Sequence, residues 1–400
     1  MEKAGQFDPD RHQPLAAAPW DAGVAHAAIQ RIAQDAREAF TPLGLWPNHP
    51  NDAPPQADPQ TMLYMGAAGV VWALDHLARE GAASPGPSFG EHLPRIQTLN
   101  HQQLEKQGYQ TRSFLIGDAG ILFTQWKLAP SEALLTALAD TIASNTADPT
   151  LELMWGAPGT MLIALALHRA SGQSRWADLF RAGARALEAA YQLDPELGAN
   201  IWTQDLYGSR GRYIGAVHGF AGNAFALIAG HELLEPESWR MWSSHLAATL
   251  EASALRGPLG ANWPPAIGDA RMSQARLVQH CHGAPGMVTS LAALGEPIDE
   301  LLLAGGELTW AAGPLAKGAN LCHGTAGNGY AFLKLFERTG DGLWLDRARS
   351  FAMHAITQSD AEAAQLGRRR YSLWTGDIGL ACYLWECTQG TARFPTLDVL

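Results

Sequence analysis

Two kinds of hydrophobic pattern alternate along the chain after residue 60. One kind is apolar on nearly every side and predicts buried helices. Examples are residues 70–74, 161–165, 224–228 and 287–291. The other kind is amphipathic with a helical period and predicts helices with one face in water. Examples are residues 131–143, 176–191, 236–255 and 343–358. Strand signals are scarce, so the alternation predicts an all-α protein with an inner and an outer layer of helices.

A Gly-x-x-Gly motif leads into the apolar segments and occurs seven times. The glycine pairs are Gly66/Gly69, Gly117/Gly120, Gly156/Gly159, Gly219/Gly222, Gly283/Gly286, Gly324/Gly327 and Gly376/Gly379. Glycine permits a sharp turn and a close approach of backbone segments. A unit repeated in this way is typical of closed or stacked architectures. The seven units predict an α/α toroid, a double-layer helical barrel of about seven inner and seven outer helices, with the glycine turns at one end.

The first part of the chain differs from the repeats. We interpret residues 1–60 as a helical lead-in followed by a loop, because residues 22–40 have a helical rhythm and residues 41–60 are rich in Pro and Asn. Residues 61–400 are then expected to form one toroidal domain, since a closed repeat can keep a chain of this length in one unit. The longest loops, residues 192–218 and 256–280, are expected to wall a cavity.

The amino-acid composition limits which binding partners and which cellular compartment are expected. Hydrophobic residues make up 47% and charged residues 17% of the 400 residues, which favours a globular protein with a large core. The formal net charge of −11 argues against nucleic acid as the main partner. No apolar run reaches the roughly 18 residues of a membrane span, and the first residues lack an apolar signal region. We therefore expect a cytoplasmic protein with reduced cysteines.

Two similar stretches carry the candidate chemistry. Cys281-His282-Gly283 and Cys322-His323-Gly324 each open a glycine motif, and the chain has only four cysteines. Thiolate and imidazole are preferred zinc ligands, so a metal site is expected where the two motifs meet. The alternative is that both cysteines are buried as small hydrophobic residues. Cys382 and Cys387 lie in an apolar helical stretch and are interpreted as core residues.

These motifs resemble the lanthionine synthetase C (LanC) family over about residues 60–400. The resemblance rests on both Cys-His-Gly stretches and on residues 216–222, which read Ala-Val-His-Gly-Phe-Ala-Gly. Residues 117–120 and 262–269 are closer to the stand-alone LanC-like proteins than to the lantibiotic cyclases. The family resemblance implies an α/α toroid with one zinc ion, Zn²⁺. The implied ligands are Cys281, Cys322 and His323.

The resemblance also implies roles for other side chains. It gives His218 as a catalytic acid or base and Glu152 as an acidic functional residue. It connects Lys317 with glutathione, and Arg276 and His280 are further candidate substrate-binding residues. His280 stands where the cyclases usually have tryptophan, so the wall of the site is expected to differ there.

Structural roles compete with several of these assignments. His218 could only cap a helix, Glu152 could only accept hydrogen bonds from turn amides, and His282 could only support its neighbouring ligand. Asp118 and Asp377 are interpreted as structural residues of the glycine turns. The run of residues 368–370, Arg-Arg-Arg, is expected to be a solvated loop.

The sequence thus leads to two hypotheses about function. In the first, the protein is a zinc-dependent enzyme that adds a thiol, from glutathione or a cysteine-containing peptide, to dehydroalanine or dehydrobutyrine residues of a peptide or protein and forms a thioether. In the second, it is a zinc- and glutathione-binding receptor or scaffold without turnover. Turnover of a dehydroalanine peptide with glutathione distinguishes them.

Overall fold

Helices make up most of the computed structural model, which describes residues 5–16, 18–54 and 56–400. Seven helices of the described ranges follow the glycine motifs, and the first glycine of each motif is the N-cap residue. Their side chains are buried on nearly every side, as the apolar patterns predict. These inner helices are α2 (Ala67–Arg79), α4 (Asp118–Leu128), α6 (Ala157–Ser171), α8 (Phe220–Ala229), α11 (Ala284–Leu291), α13 (Thr325–Thr339) and α15 (Asp377–Gln389).

Seven further helices of the described part of the chain form the outer layer. They are α1 (Ala22–Ala39), α3 (Leu93–Lys106), α5 (Glu132–Asn145), α7 (Ser174–Ala190), α9 (Pro236–Ala252), α12 (Asp299–Ala312) and α14 (Gly342–Leu366). Helix α7 illustrates why they lie outside, since Trp176, Phe180 and Leu187 are buried on one face at helical spacing. The opposite face is polar and stays in contact with water.

The inner helices form a closed ring. Each one packs against the next along the chain, and α15 packs against α2. This arrangement confirms the predicted α/α toroid. Helix α1, from the predicted lead-in, packs against α15 and α14. The division of the chain at residue 60 stays a prediction.

The second glycine of the motif has a steric reason. At Gly327 an added Cβ would lie 1.8 Å from the carbonyl oxygen of Leu321, and at Gly286 it would lie 1.8 Å from that of His280. Any side chain there would collide with backbone of the preceding turn. The turn and the start of the inner helix can therefore pack this closely only with glycine.

Short strands occur in the two long loops, although the sequence pattern does not predict them. They are β1 (Gln192–Asp194), β2 (Ala199–Ile201), β3 (Gln204–Leu206), β4 (Ser209–Tyr213), β5 (Leu255–Gly257), β6 (Gly260–Asn262) and β7 (Ala266–Ile267), with a short helix α10 (Ala270–Gln274) after them. The pairs β1–β2, β3–β4, β4–β7 and β5–β6 are antiparallel. Strands of two to five residues are too short to show a period-two pattern.

The last part of the chain fills space inside the barrel. Phe394 is fully buried and packs on the rings of His280, Tyr330 and Trp374. Cys382 and Cys387 of α15 are also buried, as their core interpretation predicts. Among the described residues, no helix combines the length and the apolarity needed to cross a membrane.

Candidate metal centre and acid-base pair

Backbone hydrogen bonds join equivalent positions of neighbouring repeats at the glycine-turn end of the barrel. The amide of Cys281 donates to the carbonyl of Cys322, that of Cys322 to Trp374, that of Trp374 to Tyr64, and that of Tyr64 to Leu115, each over 2.9 Å. All five residues stand two positions before the first glycine of their motif. The closed ring therefore brings Cys281 and Cys322 side by side, although they are far apart in sequence.

Cys281, Cys322 and His323 form the candidate metal centre. Their sulfur and ring-nitrogen ligand atoms all lie within 4.8 Å of one another. Two thiols and one imidazole are a donor set suited to zinc, and three protein ligands leave a fourth position for water or substrate. Burial lowers the pKa of His323 to about 3, so its ring stays neutral and keeps a lone pair for a metal. A hydrogen bond from Cys322 lowers the pKa of the Cys281 thiol. The residues present therefore fit the zinc ion that the sequence implied.

Two side chains that the sequence did not single out donate hydrogen bonds to these sulfurs. The Tyr64 hydroxyl lies 2.6 Å from Cys322 Sγ, and the Gln279 amide nitrogen lies 2.9 Å from Cys281 Sγ. Burial raises the pKa of Tyr64 well above its usual value, so the phenol keeps its proton. The sequence does contain a signal for Tyr64. In the first repeat, Tyr64 occupies the position that Cys281 and Cys322 occupy in their own repeats.

His218 and Glu152 form a buried pair. His218 Nδ1 lies 2.9 Å from Glu152 Oε2, and because a carboxylate only accepts, Nδ1 carries the proton. Glu152 is fully buried and also accepts hydrogen bonds from the amides of Met154 at 3.0 Å and Trp155 at 2.5 Å. Glu152 therefore accepts hydrogen bonds from turn amides, as its structural interpretation expects. In addition, it accepts one from His218.

The electrostatic surroundings of His218 favour its protonated form. Burial alone would lower the pKa of His218, but the charge and hydrogen bond of Glu152 and the charge of Cys281 raise it above its usual value. The ring lies 6.5 Å from the His282 ring and 5.9 Å from the Tyr207 ring, between centroids. Tyr207 is at the tip of the β3–β4 hairpin, and its hydroxyl accepts a hydrogen bond from Trp155 Nε1 over 3.0 Å.

A cavity of about 1020 Å³ opens beside the metal centre. Tyr64 and His323 contribute to its wall, so it adjoins the three candidate ligands. Its lining carries charges of both signs, from Lys317, Arg370, Asp52 and Glu362. A cavity of this size can hold a ligand as large as a tripeptide.

The other candidate substrate-binding residues lie in different surroundings. Lys317 is exposed at the cavity, whereas His280 is fully buried against Phe394 and Trp374. Burial lowers the pKa of His280 to about 3. Arg276 is partly buried in the segment after α10. The substrate roles of all three stay predictions.

The basic run near residue 370 is not a solvated loop. Arg369 is buried and forms ion pairs with Asp35 and Asp360, both at 2.7 Å. Arg370 pairs with Asp52 at the cavity, with Nε 2.8 Å from Oδ2. The interpretation failed because Asp35 of α1 and Asp52 of the segment between residues 41 and 60 are brought to this turn only by the closure of the ring.

Asp377 and Asp118 have structural contacts, as interpreted from the sequence. Asp377 is buried and accepts hydrogen bonds from Ser359 Oγ at 2.5 Å and the Arg370 amide at 2.8 Å. Asp118 lies 2.6 Å from Nδ1 of His101. Each aspartate ties its glycine turn to a neighbouring outer helix.

Comparisons with known proteins identify similar sequences and a similar fold. The family model described as "Lanthionine synthetase C-like protein" matches residues 21–399. "Glutathione S-transferase LANCL1" of Danio rerio is 33% identical over 199 residues, which are 47% of this chain and 46% of that protein. "LanC-like protein GCL1" of Arabidopsis thaliana is 31% identical over 270 residues, 62% of this chain and 58% of that protein. The match thus spans about half the length of these curated relatives.

A solved structure has the same architecture. Nisin cyclase aligns with a TM-score of 0.61 and 15% sequence identity, and the alignment covers 94% of this chain and 98% of the cyclase. At this level of identity the likeness shows the fold alone. This likeness supports the toroidal fold by a route that does not use the number of glycine motifs.

Proposed function

Because the chain belongs to the lanthionine synthetase C-like family, we propose that it is a zinc-dependent enzyme that adds a thiol to dehydroalanine or dehydrobutyrine residues and forms a thioether. The observation that carries the proposal is the meeting of two elements at one end of the barrel. One is the cluster of Cys281, Cys322 and His323, and the other is the buried pair of His218 and Glu152. A soft metal centre next to a titratable imidazole suits the activation of a thiol.

Zinc held by Cys281, Cys322 and His323 would supply a deprotonated substrate thiol at a fixed position, since a coordinating thiol loses its proton. The protein's own side chains then manage the proton. In the addition, a sulfur lone pair forms a C–S bond to the β-carbon, and the π electrons of the C=C bond move to the α-carbon and its carbonyl. The proton that leaves the thiol returns to the α-carbon, so the reaction is balanced without another reactant.

His218 is the proposed carrier of that proton. Glu152 holds its Nδ1–H, which leaves Nε2 as the nitrogen that accepts the proton from the thiol and delivers it to the α-carbon. The same bond orients the ring, and the buried carboxylate stabilises the imidazolium. A histidine is suited to both transfers because its intrinsic pKa is near neutrality.

The proposed thiol is glutathione or a cysteine-containing peptide. The Danio rerio relative is named a glutathione S-transferase, which supports glutathione as the thiol. The cavity supports it as well, since Lys317 suits a carboxylate and Glu362 suits an ammonium group. The acceptor would then approach from the side of His218 and Tyr207, which do not line this cavity.

Purified protein, a dehydroalanine-containing peptide and glutathione provide the direct test. With the wild type, mass spectrometry should detect a thioether adduct whose mass is the sum of the masses of the peptide and glutathione. Elemental analysis should find one zinc per chain, and Cys322→Ala should lose both zinc and adduct formation. Full zinc in Cys322→Ala would exclude this metal site. Binding of zinc and glutathione without turnover would instead favour the receptor hypothesis.

A further inference from the structure

Each sulfur of the candidate metal centre accepts a hydrogen bond from a buried side chain outside the centre. Tyr64 donates to Cys322 over 2.6 Å, and Gln279 donates to Cys281 over 2.9 Å. The mechanism above uses neither donor. Their pairing is one to one, so each ligand sulfur has its own donor.

Both donors are held in place by further contacts. The Tyr64 ring stacks on Trp374 with centroids 5.5 Å apart and an interplanar angle of 28°. The Gln279 side-chain oxygen accepts a hydrogen bond from Arg11 over 3.1 Å. Arg11 is fixed in turn, since its carbonyl accepts a hydrogen bond from the Ala316 amide over 2.9 Å. The two donors are therefore oriented before any substrate binds.

The proposed reaction creates a problem of selectivity. A dehydroalanine residue is an electrophile, and at this site it would meet the sulfurs of Cys281 and Cys322 as well as the sulfur of the substrate. If a ligand cysteine added to the β-carbon, its lone pair would form the C–S bond and the α-carbon would take up a proton from water. The cysteine would become a thioether, and the centre would lose a thiolate ligand.

We propose that Tyr64 and Gln279 are shielding residues that lower the nucleophilicity of Cys322 and Cys281, so that only the substrate thiol adds to the acceptor. This inference rests on the proposed function and deepens it. A hydrogen bond to a thiolate withdraws electron density from the lone pairs that would form the new bond. The substrate sulfur receives no such bond from these two side chains and stays the most reactive of the three.

The test measures modification of the protein itself, without any thiol substrate. Zinc-loaded wild type, Tyr64→Phe and Gln279→Leu are incubated with N-acetyldehydroalanine methyl ester, and peptide mapping locates and quantifies the adducts. Tyr191→Phe is the matched control, because it also removes a buried tyrosine hydroxyl, one bonded to Thr249 over 2.6 Å. Zinc content is measured before and after incubation.

We expect Tyr64→Phe to be modified at Cys322 and Gln279→Leu at Cys281, each roughly tenfold faster than wild type, as the loss of one hydrogen bond to a charged acceptor would give. Tyr191→Phe should behave as wild type. With cobalt in place of zinc, both shielding variants should also shift the sulfur-to-metal charge-transfer band.

Three results would overturn the inference. The first is an unchanged rate of modification in both variants, with zinc retained. The second is modification of the cysteine whose donor was kept. The third is loss of zinc from the variants before incubation, which would make Tyr64 and Gln279 necessary for metal binding rather than for shielding. Failure of the proposed function is distinguishable, because it would appear in the wild type as absent zinc or absent turnover.

Discussion

Single residues carry the proposed chemistry at the glycine-turn end of the barrel, and in the proposed mechanism the proton transfers depend on His218. Its ring is held by Glu152 through Nδ1 and lies near, but outside, the cluster of candidate ligand atoms. A residue in this position can act on substrate without binding the metal. Two substitutions test whether His218 transfers protons rather than binds the metal.

Replacing His218 by Asn should leave the zinc content unchanged and lower thiol addition by about 10²- to 10⁴-fold, the usual contribution of a positioned acid or base. Elemental analysis and the adduct assay measure the two quantities on the same preparation. Loss of zinc would make His218 a ligand. An unchanged rate would make it a structural residue.

Replacing Glu152 by Gln should move the pH dependence of the rate. The Glu152 charge raises the pKa of His218, so its removal lets burial lower that pKa. The imidazolium needed to protonate the α-carbon would then be lost at a lower pH than in the wild type. We expect the alkaline limb of the rate profile to shift to lower pH, together with the titration of His218 observed by NMR. A shift to higher pH would contradict the proposed role of the pair.

Secondary-structure elements bring these residues to one place through the glycine turn and the inner helix that follows it. In the sixth repeat, Gly327 packs on the Leu321 carbonyl, directly before Cys322 and His323. The geometry of the turn and the position of the two candidate ligands are therefore set together. Similar close approaches occur at the other six second glycines.

Gly327→Ala should destabilise the protein by about 3 kcal/mol, because the added Cβ collides with backbone that cannot move aside cheaply. It should also weaken zinc binding, since relief of the collision displaces Leu321 and its neighbour Cys322. Urea unfolding and zinc competition with a chromogenic chelator measure the two effects.

Gly342→Ala is the control for that substitution. An added Cβ at Gly342 meets no atom within 4 Å, and its φ is not positive. Its free energy of unfolding should change by less than about 0.5 kcal/mol. If Gly327→Ala and Gly342→Ala had equal free energies of unfolding, the close approach at Gly327 would not determine the geometry of the turn.

The whole molecule is a ring, and its closure joins parts of the chain that are hundreds of residues apart. Helix α15 packs on α2, and α1 packs on α15 and α14. Arg369 reinforces this closure, because its guanidinium binds Asp35 of α1, Asp360 of α14 and the Ser359 hydroxyl. An arginine that serves three partners at once holds α1 to the last repeat.

Arg369→Ala should lower the free energy of unfolding by about 2 kcal/mol, the scale of lost hydrogen bonds to charged groups. Arg31→Ala is a matched control, since Arg31 also pairs with Asp360 but with 47% of its side chain exposed. That pair should contribute less than about 1 kcal/mol. Hydrogen exchange should show faster exchange of α1 amides only in Arg369→Ala. The same exchange in both variants would contradict a special role for Arg369 in closure.

The helical toroid could be predicted from the amino-acid sequence alone. Local patterns carry that information, because a buried helix must be apolar on nearly every side and a turn that meets backbone must contain glycine. The repeat count then predicts a ring, and the Cys-His-Gly stretches predict which turns carry the candidate ligands. None of these inferences needs to know which residues meet in space.

The side chains that surround the candidate ligands could not be predicted without the three-dimensional structure. Tyr64 and Gln279 reach the two sulfurs, Glu152 reaches His218, and Arg369 reaches Asp35. Except for the pair of Gln279 and Cys281, these partners come from different repeats or from α1, so no local period connects them. Glu152 and His218 meet because neighbouring repeats pack together, whereas Tyr64 and Arg369 reach their partners because closure places the first repeat and α1 beside the last repeats. The surroundings of a site built between repeats are therefore set by the closed ring, while the type of site is set by its own short motif.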